Sequence, residues 1–440
     1  MYSARTNNTR KDRSITSNFG TRFGSMKLVA LAIRGALILA VLSGLLIAAR
    51  PVQAQSYSVL YDFCDTGTGN CLQTGAYPQG RLTPDGQGNF YGVTMGGGDY
   101  DSGAVFELSP EPPSGCPSGS NSGNGWCETP IYSFGPGPGG LTPYLSYVIR
   151  DSAGNLYGTA EGGGANYAGV VYELSPAGSE TVLHNFAGGT DGEYPYSGLV
   201  MDTAGNLYGI TNKGGENGNG TVFELSLSGG SWTKQVIYDI PASDSILAGL
   251  TMDVFGNLFG NTFHTVFELS PNVDGGWNPA VVLHTFGSGK DGIEADGVPV
   301  LDGSGNIYGT TFAGGAHKAG TVYEVSPRPH KKWKEKVLYS FKDNSKDGGG
   351  PMAGVVLDAG GNIYGTTIAG GEYSYGTVFK LAPVGTSGHK ETTLWDFNGT
   401  TGDESIDSLI LYNGNLYGTA ERGGAGAGSE GDGVVFEVTP

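Results

Sequence analysis

The chain has 440 residues, including 79 glycines and 22 prolines, and its formal net charge is −18. Such an acidic chain repels nucleic acid and anionic lipid surfaces, so neither is expected as a partner. With 38% hydrophobic residues, 24 tyrosines and 18 phenylalanines, it has enough apolar surface for a core. The glycines fall mostly at fixed positions of a repeat, which excludes a low-complexity chain.

The N-terminal segment has the pattern of a signal peptide. An apolar run at residues 35–49 follows Lys27 and Arg34, and Val52 and Ala54 suit a cleavage site after Ala54. We therefore predict that residues 1–54 are a signal peptide and that the mature protein is secreted, periplasmic or extracellular, with no membrane span. An uncleaved N-terminal anchor is the alternative, and residues 1–25 could be an extension before a natural start at Met26.

A repeat organises the rest of the chain. The motif Gly-Asn-[Leu/Ile/Phe]-[Tyr/Phe]-Gly occurs seven times, with starts 49 to 66 residues apart, and each copy is followed by a Val-[Phe/Tyr]-[Glu/Lys]-[Leu/Val] run. Short β-rich runs separated by glycine and proline at such a period indicate a repeat architecture. The motifs begin at Gly88, Gly154, Gly205, Gly256, Gly305, Gly361 and Gly414.

Each copy contains four predicted strands, A to D. In the third copy these are residues 198–202, 206–211, 221–226 and 234–240, with a tight Asp-Thr-Ala-Gly-Asn hairpin between A and B. Four short antiparallel strands per copy match a blade of a β-propeller. The sequence therefore predicts an all-β, seven-bladed β-propeller formed by residues 55–440 as a single domain.

The two ends of the chain predict how the ring closes. Residues 57–63 match strand D, whereas residues 433–440 match strand C and end there. An N-terminal strand D that completes the last blade removes two open sheet edges. We therefore expect a 1+3 closure, in which the first strand joins the three last strands.

The four cysteines form two near-neighbour sets, Cys64 with Cys71 and Cys116 with Cys127. In an oxidising compartment we predict that each set forms a local disulfide. Their spacing lacks the two-residue knuckle of a zinc site.

Loops on one face are the predicted ligand-binding region, because the D–A and B–C loops of a propeller share a face and loops on a rigid scaffold commonly carry function. The competing interpretation is that their Asp-Gly and Gly-Gly pairs only make turns. Two histidines, neither with an obvious partner in the sequence, lie in B–C connections. The candidate ligand-binding residues are Asp191, Asp291, Asp347, Asp403, His264 and His317.

No motif indicates catalysis. A glutamate recurs in six of seven C strands, which favours a packing role, and His184 and His284 replace an aromatic residue found in the other copies. Asp and Asn in the glycine-rich loops could hold calcium, but no copy has the dense alternation of a calcium loop, so no cofactor is predicted. The irregular polar residues that break the repeat are His264, His317, Glu421 and Arg422.

The repeated elements GNLYGTT, GG, GTVFELSP and DG-x-x-P resemble those of the choice-of-anchor tandem repeat GloVer-containing proteins. The resemblance covers nearly all of residues 57–440 and implies an exported bacterial repeat protein. Members often carry a C-terminal anchoring tail. In this sequence no such tail follows the last predicted strand, residues 435–440. The resemblance supplies no catalytic residues.

We therefore expect an exported, monomeric, non-enzymatic binding or cell-envelope interaction module, with a glycan or a cell-surface protein as ligand. Loop tyrosines such as Tyr100, Tyr167, Tyr194, Tyr373 and Tyr375 could stack on sugars. The alternative is a lyase or hydrolase that uses one face of the propeller, by analogy with other propellers. Polar groups particular to one or two blades and converging at the channel mouth would favour the enzyme.

Overall fold

The computed structural model describes residues 55–63, 75–287, 289–330, 332–385, 388–425 and 431–440. Regular structure in these ranges is β-strand apart from one 3-10 turn at Gly189–Asp191, which confirms the all-β prediction. The strands are β1 (Ser56–Asp62), β2 (Gly75–Pro84), β3 (Phe90–Gly97), β4 (Ala104–Pro110), β5 (Asn121–Gly123), β6 (Trp126–Ser133), β7 (Gly140–Leu141), β8 (Ile149–Arg150), β9 (Leu156–Ala160), β10 (Gly162–Gly163), β11 (Val170–Leu174), β12 (Glu180–Asn185), β13 (Val200–Met201), β14 (Leu207–Thr211), β15 (Thr221–Ser228), β16 (Ser231–Asp239), β17 (Leu250–Met252), β18 (Leu258–Asn261), β19 (Thr265–Leu269), β20 (Val281–Thr285), β21 (Val300–Leu301), β22 (Ile307–Thr311), β23 (Thr321–Arg328), β24 (Lys332–Ser340), β25 (Gly348–Gly349), β26 (Val356–Leu357), β27 (Ile363–Thr367), β28 (Ala369–Gly370), β29 (Thr377–Val384), β30 (Gly388–Asp396), β31 (Ile410–Tyr412), β32 (Asn415–Ala420) and β33 (Val434–Thr439).

Within the described ranges, seven antiparallel sheets of four or five strands confirm the seven-bladed β-propeller. Strands A to D follow one another in chain order in blades 1 to 6, whereas strand D of blade 7 is β1. The ladders β7–β10 and β25–β28 are short additions at loops. The blades are blade 1 (β2, β3, β4, β6, with β5 at its edge), blade 2 (β8, β9, β11, β12), blade 3 (β13 to β16), blade 4 (β17 to β20), blade 5 (β21 to β24), blade 6 (β26, β27, β29, β30) and blade 7 (β31, β32, β33 and β1).

The ring closes through the N-terminal strand, as predicted. Strand β1 pairs antiparallel with β33, from Ser56 opposite Thr439 to Asp62 opposite Val434. Tyr57 in this strand stacks on Trp395 of blade 6, with the ring centroids 4.3 Å apart. The first strand therefore supplies both the missing ladder of blade 7 and a contact with the blade before it.

The hairpins between strands A and B of blades 1 to 6 are each held by one aspartate, which the shorter turn of blade 7 lacks. In blade 3 the Asp202 carboxylate accepts the backbone N–H groups of Ala204 and Asn206, at 2.8 and 2.9 Å. Its second oxygen accepts the side-chain amide of Asn206 and the hydroxyl of Tyr208. The glycine at Gly205 has φ +88°, which favours glycine because other residues are strained there. This bonding explains why Asp and Gly-Asn recur in the motif.

Aromatic rings join neighbouring blades. At six of the seven seams, a phenylalanine that follows strand D contacts a ring in strand C of the next blade, with centroids 5.0 to 5.3 Å apart. At the remaining seam Ile240 replaces the phenylalanine, and Tyr238 contacts Phe267. The six pairs are Phe63–Phe106, Phe134–Tyr172, Phe186–Phe223, Phe286–Tyr323, Phe341–Phe379 and Phe397–Phe436.

The aromatic ring in strand C also explains why the last residue of the repeated motif is glycine. A Cβ on Gly309 would stand 2.4 Å from the hydroxyl oxygen of Tyr323 and 2.6 Å from its ring. Such distances are shorter than any ordinary carbon contact, so strand B passes the ring only without a side chain. The equivalent glycines Gly92, Gly158, Gly209, Gly260, Gly365 and Gly418 meet the ring of their own blade in the same way.

The insertion in blade 1 carries the confirmed disulfide. Cys116 and Cys127 are bonded, with their Cα atoms 5.5 Å apart, whereas Cys64 and Cys71 lie outside the described residues. The insertion adds β5 as a fifth strand of blade 1. A Cβ on Gly123 of β5 would stand 3.0 Å from the ring of Tyr61, so the insertion also lies against the closing strand β1.

One buried carboxyl lies beside this disulfide. Glu128 is fully buried; its Oε2 accepts the side-chain amide of Asn121 at 2.8 Å, while Oε1 has no hydrogen-bond partner among the described residues. Burial raises the pKa of Glu128 to about 7. The charged form therefore destabilises the folded state.

Substitution of Gly309 by alanine is expected to lower the free energy of unfolding by about 1–3 kcal/mol, because the added methyl overlaps the Tyr323 ring. Gly303→Ala is the control in the same blade, since no atom lies within 4 Å of its added Cβ; it should change stability by less than about 0.5 kcal/mol. Urea unfolding of both variants measures the difference. Equal effects would contradict the packing role of the ring.

Replacing Glu128 by glutamine should stabilise the protein at about pH 8 and have little effect near pH 4.5. The raised pKa means that the folded state binds more protons than the unfolded state between about pH 4.5 and 7, so stability is lost as pH rises through that window. The difference at pH 8 is at most about 3 kcal/mol. Thermal unfolding of both proteins across this range measures it, and parallel curves would contradict the assignment.

Candidate functional site

The D–A and B–C loops lie together at one end of the blades. In blades 2 and 6 they form the ladders β7–β10 and β25–β28, and isolated bridges join them in three more blades. In blade 1 the same contact is part of the long strands β2 and β3. We call this end of the propeller the loop face. The bridges in blades 3, 5 and 7 are Glu193 with Lys213, Ile293 with Ala313 and Asp403 with Arg422.

Three of the four predicted aspartates contact side chains of neighbouring strands. Asp191 accepts hydrogen bonds from the His184 ring and the Lys234 ammonium, at 3.0 and 2.9 Å. Asp291 lies 3.4 Å from His284. Burial opposes ionisation of Asp191, yet the hydrogen bond from Lys234 leaves its pKa below the ordinary value. These carboxylates hold the two histidines, which replace an aromatic residue of the other copies, against the rings of Phe186 and Phe286.

Asp347 and Asp403 differ in their surroundings. Asp347 accepts the hydroxyl of Tyr339 at 2.8 Å, and burial raises its pKa. The pKa of Asp403 is also raised, first by burial and then by the neighbouring charge of Glu404. Asp347 is therefore buried, at 3% exposure, whereas Asp403 is half-buried.

The two predicted histidines differ in their surroundings. His317 is exposed in the B–C loop of blade 5. His264 contacts a partner that the sequence did not reveal, because its Nδ1 lies 3.0 Å from the buried carboxylate of Asp244. Asp244 also accepts the hydroxyl of Thr262 and the backbone N–H of His264. It stabilises the short B–C turn of blade 4, which lacks the Gly-Gly pair.

A small cavity of about 50 Å³ lies on the propeller axis below the loop face. Residues before strand A of six blades line it, among them Asp296, Asp407, Ser197 and Ser408. Burial raises the pKa of Asp296 to about 6 and that of Asp407 to about 7. The Oδ2 of Asp407 accepts the backbone N–H of Gly80. The cavity has room for only a few waters, so it is too small to enclose a larger ligand.

Polar groups from four blades converge beside this cavity. Glu421 of blade 7 hydrogen-bonds to Gln79 of blade 1, and Tyr196 of blade 3 donates its hydroxyl to Glu161 of blade 2 at 3.2 Å. The rings of Tyr144 and Tyr196 are 5.3 Å apart. We call this set the mouth cluster; it consists of Gln79, Tyr144, Glu161, Tyr196, Asp407 and Glu421.

The mouth cluster shares one electrostatic environment. The pKa of Tyr144 is raised first by burial and then by the charges of Glu421, Glu161 and Asp407. Burial likewise raises the pKa of Glu161 and Glu421, and nearby Glu404 adds to the effect on Glu421. Burial thus favours the neutral form of these carboxyls, next to two half-buried aromatic rings.

Sequence reasoning found only Glu421 of this cluster. Asp407 stands before Ser408 where blades 4 and 6 have Ala248–Gly249 and Ala353–Gly354, so a comparison of copies at that position could have found it. Asp296 lies one position earlier in its own blade, next to Gly297. Glu161 stands at the B–C position of Glu421, and Tyr144 and Tyr196 each follow a proline at the start of strand A's approach, so a comparison of copies could have found these residues. It could not have shown that they meet, because their proximity depends on how adjacent blades pack.

The described part of the chain meets the requirements of neither a three-ligand metal site nor a membrane-spanning helix. No group of three His, Cys, Asp or Glu side chains there is arranged to hold a metal ion. Nor does any helix in those ranges have the length and apolar character needed to cross a membrane.

Two solved structures share the fold. Virginiamycin B lyase from Staphylococcus aureus aligns with a TM-score of 0.51 and 11% identity, over 88% of this chain and 99% of that one. The extracellular domain of a protein assigned as the hybrid two-component system BT4673 of B. thetaiotaomicron also gives a TM-score of 0.51, with 12% identity over 88% of this chain and 42% of that one. At these identities the similarity concerns the fold alone.

The repeat is recognised at the level of sequence. Among curated proteins, none matches this chain. A profile of the Gloeobacter/Verrucomicrobia repeat, however, matches residues 121–271 and 264–440. These ranges cover the chain from the last strands of blade 1 to its end, in agreement with the GloVer resemblance of the motifs. The chain therefore belongs to the Gloeobacter/Verrucomicrobia repeat family.

Proposed function

We propose that this protein is an exported, non-enzymatic binding module that recognises an uncharged glycan at the mouth cluster. The observation that carries the proposal is the Tyr144–Tyr196 ring pair beside carboxyls contributed by other blades. Sugar hydroxyls bind through paired donors and acceptors, and the apolar face of a sugar ring lies well on an aromatic ring. The mouth cluster offers both, at the centre of a rigid ring of blades.

The acidic character of the chain favours a neutral ligand. With a net charge of −18, and with Glu161, Asp407 and Glu421 at the mouth, the site repels anionic polymers. Export is supported by the predicted signal peptide and by the disulfide, which is typical of proteins in an oxidising compartment. A protein partner on the cell envelope remains the second ligand class to test.

An enzyme is the alternative function, and one observation favours it. Asp407 has its pKa raised to about 7, close to Glu421, whose pKa is also raised. A carboxyl with a pKa near the working pH is suited to general acid or base catalysis. A lyase or hydrolase acting on an extracellular polymer would use this pair beside the mouth.

Binding to a glycan array, followed by calorimetry with the best ligand, tests the proposal. Tyr144→Ala and Tyr196→Ala should each weaken affinity about tenfold or more, since each removes one stacking ring. Tyr167→Ala is the matched control, because this tyrosine is 76% exposed at a loop tip of blade 2. Loss of binding in the control alone would place the site at the loop tips, and cleavage of the bound glycan would establish the enzyme.

Affinity is expected to fall as pH decreases from about 8 to 6. Asp407, whose pKa is about 7, loses its charge across this range, and the charged carboxylate is the stronger acceptor for sugar hydroxyls. Asp407→Asn should bind weakly at both pH values and remove most of the dependence. Calorimetry at several pH values measures this, and an unchanged profile in the variant would exclude Asp407 from the site.

A further inference from the structure

Blade 4 carries an apolar surface at the end opposite the loop face. Val254 and Phe255 in its A–B turn are 94% and 78% exposed, and Val273 in its C–D loop is fully exposed. Large exposed apolar groups that lie next to one another on a soluble protein mark an interaction site. We call this surface the apolar corner; it consists of Met252, Val254, Phe255, Val273 and Trp277.

The fold does not require Val254 and Phe255. In blade 4 the Asp253 carboxylate accepts the N–H groups of Phe255 and Asn257, at 2.8 and 2.9 Å. The turn of blade 3 makes the same bonds at the same distances with Thr203 and Ala204 at the two central positions. Five other blades place small or polar residues there: Gly86–Gln87, Ser152–Ala153, Thr203–Ala204, Gly303–Ser304 and Ala359–Gly360.

A groove of about 520 Å³ between blades 3 and 4 adjoins the corner. Met201, Met252, Phe255, Pro271 and Trp277 line it, so its walls combine flexible thioethers with aromatic rings. The indole of Trp277 is held in place, because its N–H donates to Glu224 at 2.9 Å and its ring contacts Tyr208 edge-on. The groove is therefore built on a rigid floor.

The charge around the groove is of one sign. The stretches of blades 3 and 4 nearest the groove contain no lysine or arginine, and Lys234, farther along β16, bonds to Asp191 of the neighbouring loop. These stretches are residues 198–210, 221–233, 247–263 and 265–283. They contain five carboxylates: Asp202, Glu224, Asp253, Glu268 and Asp274. An acidic rim around aromatic walls favours cationic groups, both by Coulomb attraction and by cation–π contact.

We infer that the apolar corner binds a segment of a partner polypeptide in which apolar side chains alternate with lysine or arginine. A small molecule within the groove would contact Val254 but leave Val273 in water, because Val273 is fully exposed and does not line the groove. A second copy of the acidic chain would bring like charges together. An extended basic and apolar segment covers the rim, fills the groove and neutralises its carboxylates.

The probe is a fluorescent peptide of alternating leucine and lysine, titrated against the purified full chain and followed by anisotropy. The double variant Val254→Thr, Phe255→Ala copies the turn of blade 3, so it should fold as the parent does. We expect it to weaken binding at least about tenfold. Val384→Thr is the control. It replaces a valine of blade 6 that is 55% exposed, and it should leave affinity unchanged.

Charge is tested separately. Asp274→Lys, a change in an exposed loop, should weaken binding, and peptides with glutamate for lysine or serine for leucine should bind at least about tenfold more weakly. Equal binding by the parent and the double variant, or equal loss in Val384→Thr, would overturn the inference. So would light scattering that shows self-association of the parent, absent in the double variant, because the occupant would then be a second copy.

Discussion

The propeller depends on a repeated contact between two aromatic rings, one at the end of strand D and one in strand C of the next blade. Aromatic rings bury a large apolar area and prefer the edge-to-face geometry found at most of these seams. Because the seams form a closed circle, each blade is stabilised from both sides. The seam between blades 7 and 1 needs Phe63, which only the N-terminal strand supplies. Closure through β1 is therefore a packing requirement as well as a hydrogen-bonding one.

Much of this architecture could be predicted because its causes repeat. The Asp of six A–B turns, the glycine beside the strand C ring and the strand C aromatic recur at fixed spacing, and each has a single local reason. Counting them predicted seven blades, and matching the two chain ends to strands C and D predicted the closure. The Cys116–Cys127 pairing followed from proximity within one insertion. Each of these inferences needs only contacts within one blade or between consecutive strands.

The site was less predictable because it has no repeated cause. Asp191 and Asp291 drew attention by recurrence, yet their carboxylates contact His184 and His284 in the preceding strand. The mouth cluster, by contrast, joins residues up to 342 positions apart, as with Gln79 and Glu421, since 421 minus 79 is 342. Such contacts exist only because the ring brings blades 7 and 1 together, and spacing along the chain contains no trace of them.

Irregular positions are informative where neither turn, ladder nor seam determines the residue. Asp407 stands where blades 2 to 6 have serine, alanine or glycine, and Val254 with Phe255 stands where other copies have small or polar residues. The two exceptions lie at opposite ends of their blades. A strand of five residues spans about 17 Å, so a small ligand at the mouth cluster does not reach the apolar corner. One rigid ring thus carries two surfaces whose binding events are separable, and a substitution in one surface leaves the seams that support the other intact.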